Sequence, residues 1–141
     1  MTKISLSVGA LVYNPDKGFL LLRRRDKPEI WEFPKGRMRD KESENETLSR
    51  EIFEECNLDN FNIIEGFRKQ TFYFKKGYMR IVIFYLIKTS QEPILSEEHL
   101  EYQWLPYDKA KEKLEGLIRF DEIKYSQWLD VLEDAVKVIN G

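Results

Sequence analysis

The run "RIVIFYLI", from Arg80 to Ile87, narrows the fold more than any other feature of this chain. It is β-branched and aromatic with no polar alternation, so it reads as a central strand covered on both faces. Such a strand needs other strands beside it and helices over it, and the rest of the chain supplies both. "SLSVGALVYN" alternates, then runs apolar into the turn "NPDKG", and "FLLLRRR" follows as its hairpin partner. "FNIIEGFRKQTFYF" and "YMRIVIFYLIKT" flank "KKG", which reads as a three-residue turn. "IWEFP" is a short extended piece, because the residue before Pro34 is pushed toward β. "LEYQWL" is another short strand. "YDKAKEKL" and "FDEIKYSQWLDVLEDAVKVI" read as helices, the second with Tyr125, Leu129, Leu132, Val136 and Ile139 as its apolar stripe. The layout is a mixed sheet with helices packed on it. With no repeat, linker or low-complexity segment, 141 residues fit a single domain, 1–141.

Composition matters mainly for what it excludes. A formal net charge of −2 provides no global field for nucleic acid or an anionic membrane. Any anionic ligand must be handled locally. One cysteine, Cys56, permits no internal disulfide, which fits a reducing, cytoplasmic setting. The N-terminus lacks the pattern of a secretory signal, and "IVIFYLI" is far too short to span a membrane.

The segment "GRMRDKESENETLSREIFEECNL", Gly36 to Leu58, places seven acidic residues in twenty-three. Leu48, Ile52 and Phe53 form a helical apolar stripe, with glutamates on another face. Glu51, Glu54 and Glu55 are spaced by three and four and share one side of that helix, where like charges repel unless a cation sits among them. Most helices of this kind are only a solvated surface. The surroundings here point elsewhere. "FPKG" offers a free glycine carbonyl, and Arg50 adjoins the acids, four residues from Glu54, where it can orient one carboxylate. Hard divalent cations bind such carboxylate and carbonyl oxygens.

Gly36, five residues, Glu42, seven residues, then Arg50-Glu51-Ile52-x-Glu54-Glu55 closely resembles the Nudix box, a long signature of fixed spacing. The family pattern ends Glu-Glu-x-Gly-aliphatic, whereas this chain reads "EECNL", with Asn57 in place of glycine. Asparagine is the next most tolerant residue for a left-handed helix end, so the departure touches no metal ligand. The resemblance implies a Nudix-type α/β/α sandwich around a central mixed β-sheet. It also implies hydrolysis of a nucleoside diphosphate linked to another moiety, assisted by magnesium or manganese.

"WEFPKG", "IIEGF", "VIFYL" and "LSEEHLEYQWL" together look like the asymmetrical diadenosine tetraphosphate hydrolases. That resemblance implies Gly36, Glu51, Glu54, Glu55 and Glu98 at the metal site, with Glu51 or Glu98 as general base and Arg50 among the catalytic groups. It places Lys35 and Arg80 on the phosphate chain. It places Tyr73 and Tyr102 on either side of an adenine. Each of the four also has a plain reading, a solvated charge for Lys35 and Arg80 and a packed aromatic for Tyr73 and Tyr102. Glu97 and Glu101 compete with Glu98 in the loop. His99, the only histidine, reads as a loop residue, because a hard metal prefers oxygen. Trp31 and Trp104 read as core or cleft wall, and Cys56 as a packed residue without an activating base.

The expected substrate is a small nucleotide, with diadenosine tetraphosphate giving ATP and AMP, acted on by a monomer without a membrane or nucleic-acid partner. The rivals are an RNA 5′-pyrophosphohydrolase, which would extend its partners to RNA 5′ ends, a nucleoside triphosphate pyrophosphohydrolase, and a sensing domain that binds nucleotides without turnover.

Overall fold

A computed structural model describes residues 3–141. Seven strands form one sheet: β1 (Lys3–Asn14), β2 (Gly18–Arg24), β3 (Trp31–Glu32), β4 (Lys35–Arg37), β5 (Asn62–Lys75), β6 (Tyr78–Lys88) and β7 (His99–Leu105). Three helices pack on it: α1 (Glu44–Cys56), α2 (Tyr107–Glu115) and α3 (Glu122–Asn140). The main strand order is β3-β2-β1-β6-β5, with β4 pairing β1 and β7 pairing β2. The β1–β6 pairing is parallel and every other pairing is antiparallel, so the sheet is mixed.

The apolar run occupies β6, between β1 and β5, and both of its faces are covered. Side chains alternate across a strand. Val82, Phe84 and Leu86 enter one core with Phe33, Tyr125, Trp128 and Leu132. Ile87 enters the other, with Val8, Val12, Leu48, Ile52 and Cys56. The first core lies under α2 and α3 and the second under α1, giving the α/β/α layering.

Three local details differ from the sequence reading. The β5–β6 turn holds two residues, not three: Lys75 pairs with Tyr78, and Lys76 and Gly77 both have positive φ, 51° and 78°. Positive φ at both central positions is the hairpin turn whose twist matches the strands it joins. Phe53 is not part of the α1 stripe but is 52% exposed; the buried face runs through Leu48, Ile52 and Cys56. On α3 the buried stripe runs through Lys124, Tyr125, Trp128, Val131, Leu132 and Ala135, while Leu129, Val136 and Ile139 are only partly buried. Trp128, fully buried, stacks near Phe33, Phe84 and Tyr125 with ring centroids 5.2–5.3 Å away, and so centres the first core.

The helix ends are specified locally. Ser43 caps α1 by accepting from the Glu46 N–H, while the Glu46 carboxylate accepts from the Ser43 N–H. Asn57 ends the helix with φ 53° and ψ 32°, and its N–H donates to the Phe53 carbonyl. This is the left-handed position a glycine fills without a side-chain cost. Replacing Asn57 with glycine is expected to leave activity unchanged and to leave stability equal or higher by up to about 1 kcal/mol. Denaturant unfolding alongside a turnover assay checks both; lost activity would show a further role for Asn57.

Candidate active site

Strand β4 and helix α1 meet beside the middle of β1. Ser7, Val8 and Gly9 pair with Arg37, Gly36 and Lys35, which lays the "PKG" backbone against the sheet. The α1 side chain that faces this backbone is Glu51. A Cβ on Gly36 would fall on the Glu51 carboxylate, so only glycine allows the acid to lie there.

Arg50 organises the acids around it. Its Nε and Nη2 donate to the two oxygens of Glu42 at 2.6 and 2.8 Å. Nη2 also donates to the Arg37 carbonyl, and Nη1 to Glu51 at 2.6 Å and Glu54 at 3.3 Å. Glu42 accepts further from the Arg39 N–H and the Thr47 hydroxyl. The Arg50 hydrogen bonds, first of all, hold the Glu42 carboxyl down at about 2. The partner expected for Arg50 was Glu54. The structure makes Glu54 its loosest contact and gives the bidentate place to Glu42. Burial pushes the Glu51 carboxyl above its usual range against the pull of Arg50.

Glu55 points into the sheet rather than out to solvent. It is 6% exposed, and its Oε2 has no hydrogen-bond partner among the described residues. Burial, then the charges of Glu32, Glu51 and Glu98, push its carboxyl up to about 9. Beside it, Glu32 accepts a hydrogen bond from His99 Nε2 at 2.9 Å. Burial opposes the charge on Glu32, but His99, Lys35 and Arg24 outweigh it and hold this carboxyl below its usual range. His99 is 3% exposed, so it is a buried partner of Glu32 rather than an open loop residue.

Glu32, Glu55, His99 and Gly36 border a cleft of about 630 Å³, within the usual size of a ligand site. Its basic lining comprises Arg24, Arg25, Lys35, Arg37, Lys75, Arg80 and Lys124. Its acidic lining comprises Asp26, Glu32, Glu55, Glu97 and Glu98. The loop carrying Glu98 is tied down by Arg25, whose N–H donates to the Glu98 carbonyl and whose Nε donates to the Glu97 carbonyl. Glu101, a competitor for the loop role, pairs instead with Arg23 and does not line the cleft. Arg80 lies over the Tyr78 ring and donates to the Ser5 hydroxyl.

The two tyrosines do not come together. Tyr73 lines the cleft but is 9% exposed, with the Lys124 ammonium over its ring at 4.5 Å. Tyr102, paired opposite Leu22, turns to the α1 face, packs on the second core and donates its hydroxyl to Glu92. An adenine clamp made by this pair is therefore corrected: strand alternation and pairing send Tyr102 away from the cleft. Trp104 shares the same partner, Glu92, and Trp31 lies in the first core under the Lys113 ammonium. Cys56 is fully buried, and burial pushes its thiol up, which suits packing rather than nucleophilic attack.

The donor set suits a hard divalent cation. Every candidate side-chain ligand is a carboxylate, Glu55 keeps an oxygen without a partner, and the nearby charges of Glu51 and Glu98 add to the cost of ionising Glu55. As the side chains stand, no three acids, histidines or cysteines among the described residues form a closed cage, because Arg50 holds Glu51 and Glu54.

A family profile described as the NUDIX domain matches residues 3–129. The chain belongs to the Nudix family. It is similar to a Rattus norvegicus protein named bis(5′-nucleosyl)-tetraphosphatase [asymmetrical], 34% identical over 111 residues, which cover 75% of this chain and 73% of that one. It is also similar to the dihydroneopterin triphosphate diphosphatase of Haemophilus influenzae, 28% identical over 138 residues, covering 86% and 87% of the two chains. A solved structure of a C. elegans Ap4A hydrolase binary complex superposes with a TM-score of 0.81 at 26% identity, covering 97% of this chain and 98% of that one. This Nudix hydrolase has, among its described residues, no helix long and apolar enough to cross a membrane.

Two outcomes follow from this geometry. Gly36→Ala displaces the flexible end of Glu51 rather than backbone, so the fold survives while turnover falls by about a hundredfold. Near-normal turnover in that variant would mean that the Glu51 placement is irrelevant. Among the loop acids, Glu98→Gln is expected to depress turnover far more than Glu97→Gln or Glu101→Gln. Equal, small effects at all three would return the loop to the surface.

Proposed function

We propose that this Nudix hydrolase cleaves dinucleoside polyphosphates, taking diadenosine tetraphosphate and water to ATP and AMP, with the chain 1–141 acting as one catalytic domain. The observation that carries the reading is a cleft lined by seven basic side chains yet also by Glu55 and Glu98, with the Glu51 carboxylate against its Gly36 wall. A polyphosphate needs cations along its length, and it needs carboxylates only where a metal ion is to be held. The names of the rat and C. elegans relatives support the same substrate class.

In this reading Lys35 and Arg80 bind phosphate oxygens and offset charge on the transferred phosphoryl group. Glu51, Glu54, Glu55 and Glu98, with the Gly36 carbonyl, would hold magnesium or manganese. The bound ion neutralises phosphate charge and lowers the pKa of a coordinated water. Arg50 keeps Glu51 in place, and Glu51 or Glu98 accepts the proton of the attacking water.

A second reading has a specific observation behind it. The dihydroneopterin triphosphate relative matches over most of both chains and takes a single-headed triphosphate. Wild-type enzyme with magnesium, given diadenosine tetraphosphate, a nucleoside triphosphate, dihydroneopterin triphosphate and 5′-triphosphorylated RNA, separates the readings. ATP plus AMP from the dinucleotide, at the highest kcat/KM, is expected. Preference for a single-headed triphosphate or the RNA would overturn the assignment. Glu54→Gln and Glu55→Gln should each lower kcat by orders of magnitude without unfolding the protein, because each removes ligand charge and keeps shape. Wild-type turnover in both would remove the metal assignment.

A further inference from the structure

Lys124 is a buried cleft residue that this reaction leaves without a task. It sits in the first turn of α3, after the cap Asp121. It is 8% exposed, and its ammonium lies among three rings, with Tyr73 at 4.5 Å, Tyr125 at 5.1 Å and Trp128 at 5.2 Å. The lysines that form ion pairs among the described residues are Lys17, Lys69, Lys109 and Lys137; Lys124 has no such carboxylate. Glu32 is the acid whose charge it feels, and that carboxylate is already hydrogen-bonded to His99.

Each physical tendency at this position disfavours a cation. Burial does so first, and then the like charges of Lys35, Arg24 and Lys75, which together bring its pKa down to about 7. The amino-terminal end of a helix carries partial positive charge and repels an ammonium. The ring contacts soften these costs without supplying a counter-ion. A methionine of similar length would fill the same hollow at none of them. What an ammonium offers here, and methionine does not, is a charge facing the cleft that it lines with Lys35, Lys75 and Arg80.

We propose that Lys124 is a substrate-binding residue whose ammonium, steered by Tyr73, Tyr125 and Trp128, takes a phosphate oxygen of the polyphosphate chain. The role presupposes the polyphosphate substrate of the proposed function. The anion provides the missing counter-ion, and the rings keep the flexible side chain from seeking one elsewhere. Tyr73 then contributes by holding the lysine, since the face that would receive a base already carries an ammonium.

Wild type, Lys124→Met and Lys124→Arg are compared by steady-state kinetics on diadenosine tetraphosphate and by calorimetric titration with inorganic tripolyphosphate. A charge-assisted hydrogen bond predicts that Lys124→Met raises KM, and weakens tripolyphosphate binding, by about ten- to a hundredfold. Its kcat should change far less, and its Tm should be equal or higher. Lys124→Arg should recover part of the lost affinity. A Lys124→Met enzyme with unchanged KM and unchanged tripolyphosphate affinity, differing only in Tm, would make the lysine a packing residue and overturn the proposal. Lys124→Gln gives the same readouts should the methionine variant fail to fold. If the wild type ignores the dinucleotide while Lys124→Met still loses tripolyphosphate, the substrate assignment fails and Lys124 stands. Normal dinucleotide turnover with an unaffected Lys124→Met removes the lysine alone.

Discussion

The active-site end of this protein hangs on one guanidinium. Arg50 spans Glu42, Glu51, Glu54 and the Arg37 carbonyl, so it joins the loop before α1, the face of α1 and the end of β4. A planar fork of fixed donors can do this, where a point charge such as lysine would satisfy one partner at a time. The arrangement also explains why the helix tolerates its acids. Glu42 and Glu51 are both neutralised locally, and the burial of both near a cation fixes the rotamers on which ligand geometry depends. Thr47, fully buried, closes the set by donating to Glu42 from inside the helix.

Beyond Arg50, the cleft holds charges that the isolated protein accommodates poorly. Glu55 is buried with an oxygen unpaired, and Lys124 is buried among rings, each with its pKa driven toward the neutral form. The two lie among opposite sets of neighbours: acids crowd Glu55 and bases crowd Lys124. Such an arrangement is unfavourable for folding and suits the reception of charge from outside. In the proposed reaction, a divalent ion answers the first group and a polyphosphate answers the second. Glu32, paired with His99, lies among the charges felt by both.

Much of this was legible in the sequence because it is periodic or short-range. The uninterrupted apolar run named the central strand, and the spacing from Gly36 to Glu55 named the box. The left-handed end at Asn57 followed from its neighbours. What escaped depends on contacts between distant segments. The Glu32–His99 bond joins residues 67 apart, and nothing in "WEFP" announces it beyond one acid in an apolar stretch. The side of the sheet taken by Tyr102 follows from its pairing opposite Leu22, a register no local pattern fixes. Lys124 did leave a trace, since it stands four residues before Trp128 on the face that proves buried. Centring the α3 stripe on Leu129 instead of Trp128 hid it.

The parallel seam between β1 and β6 bears on how the chain assembles. Each β1 residue from Lys3 to Tyr13 lies opposite one 75 positions later, from Tyr78 to Lys88. Closing so long a loop is entropically expensive before any contact rewards it. The β5–β6 hairpin, with its two-residue turn, can form early by itself, whereas β1 has no parallel partner until β6 has been synthesised. The acidic helix and the glycine strand both lie inside that loop. During synthesis, the box therefore emerges before the strand β6 that completes the scaffold beside it. The centre of the sheet is thus a long-range junction, and the catalytic geometry depends on it.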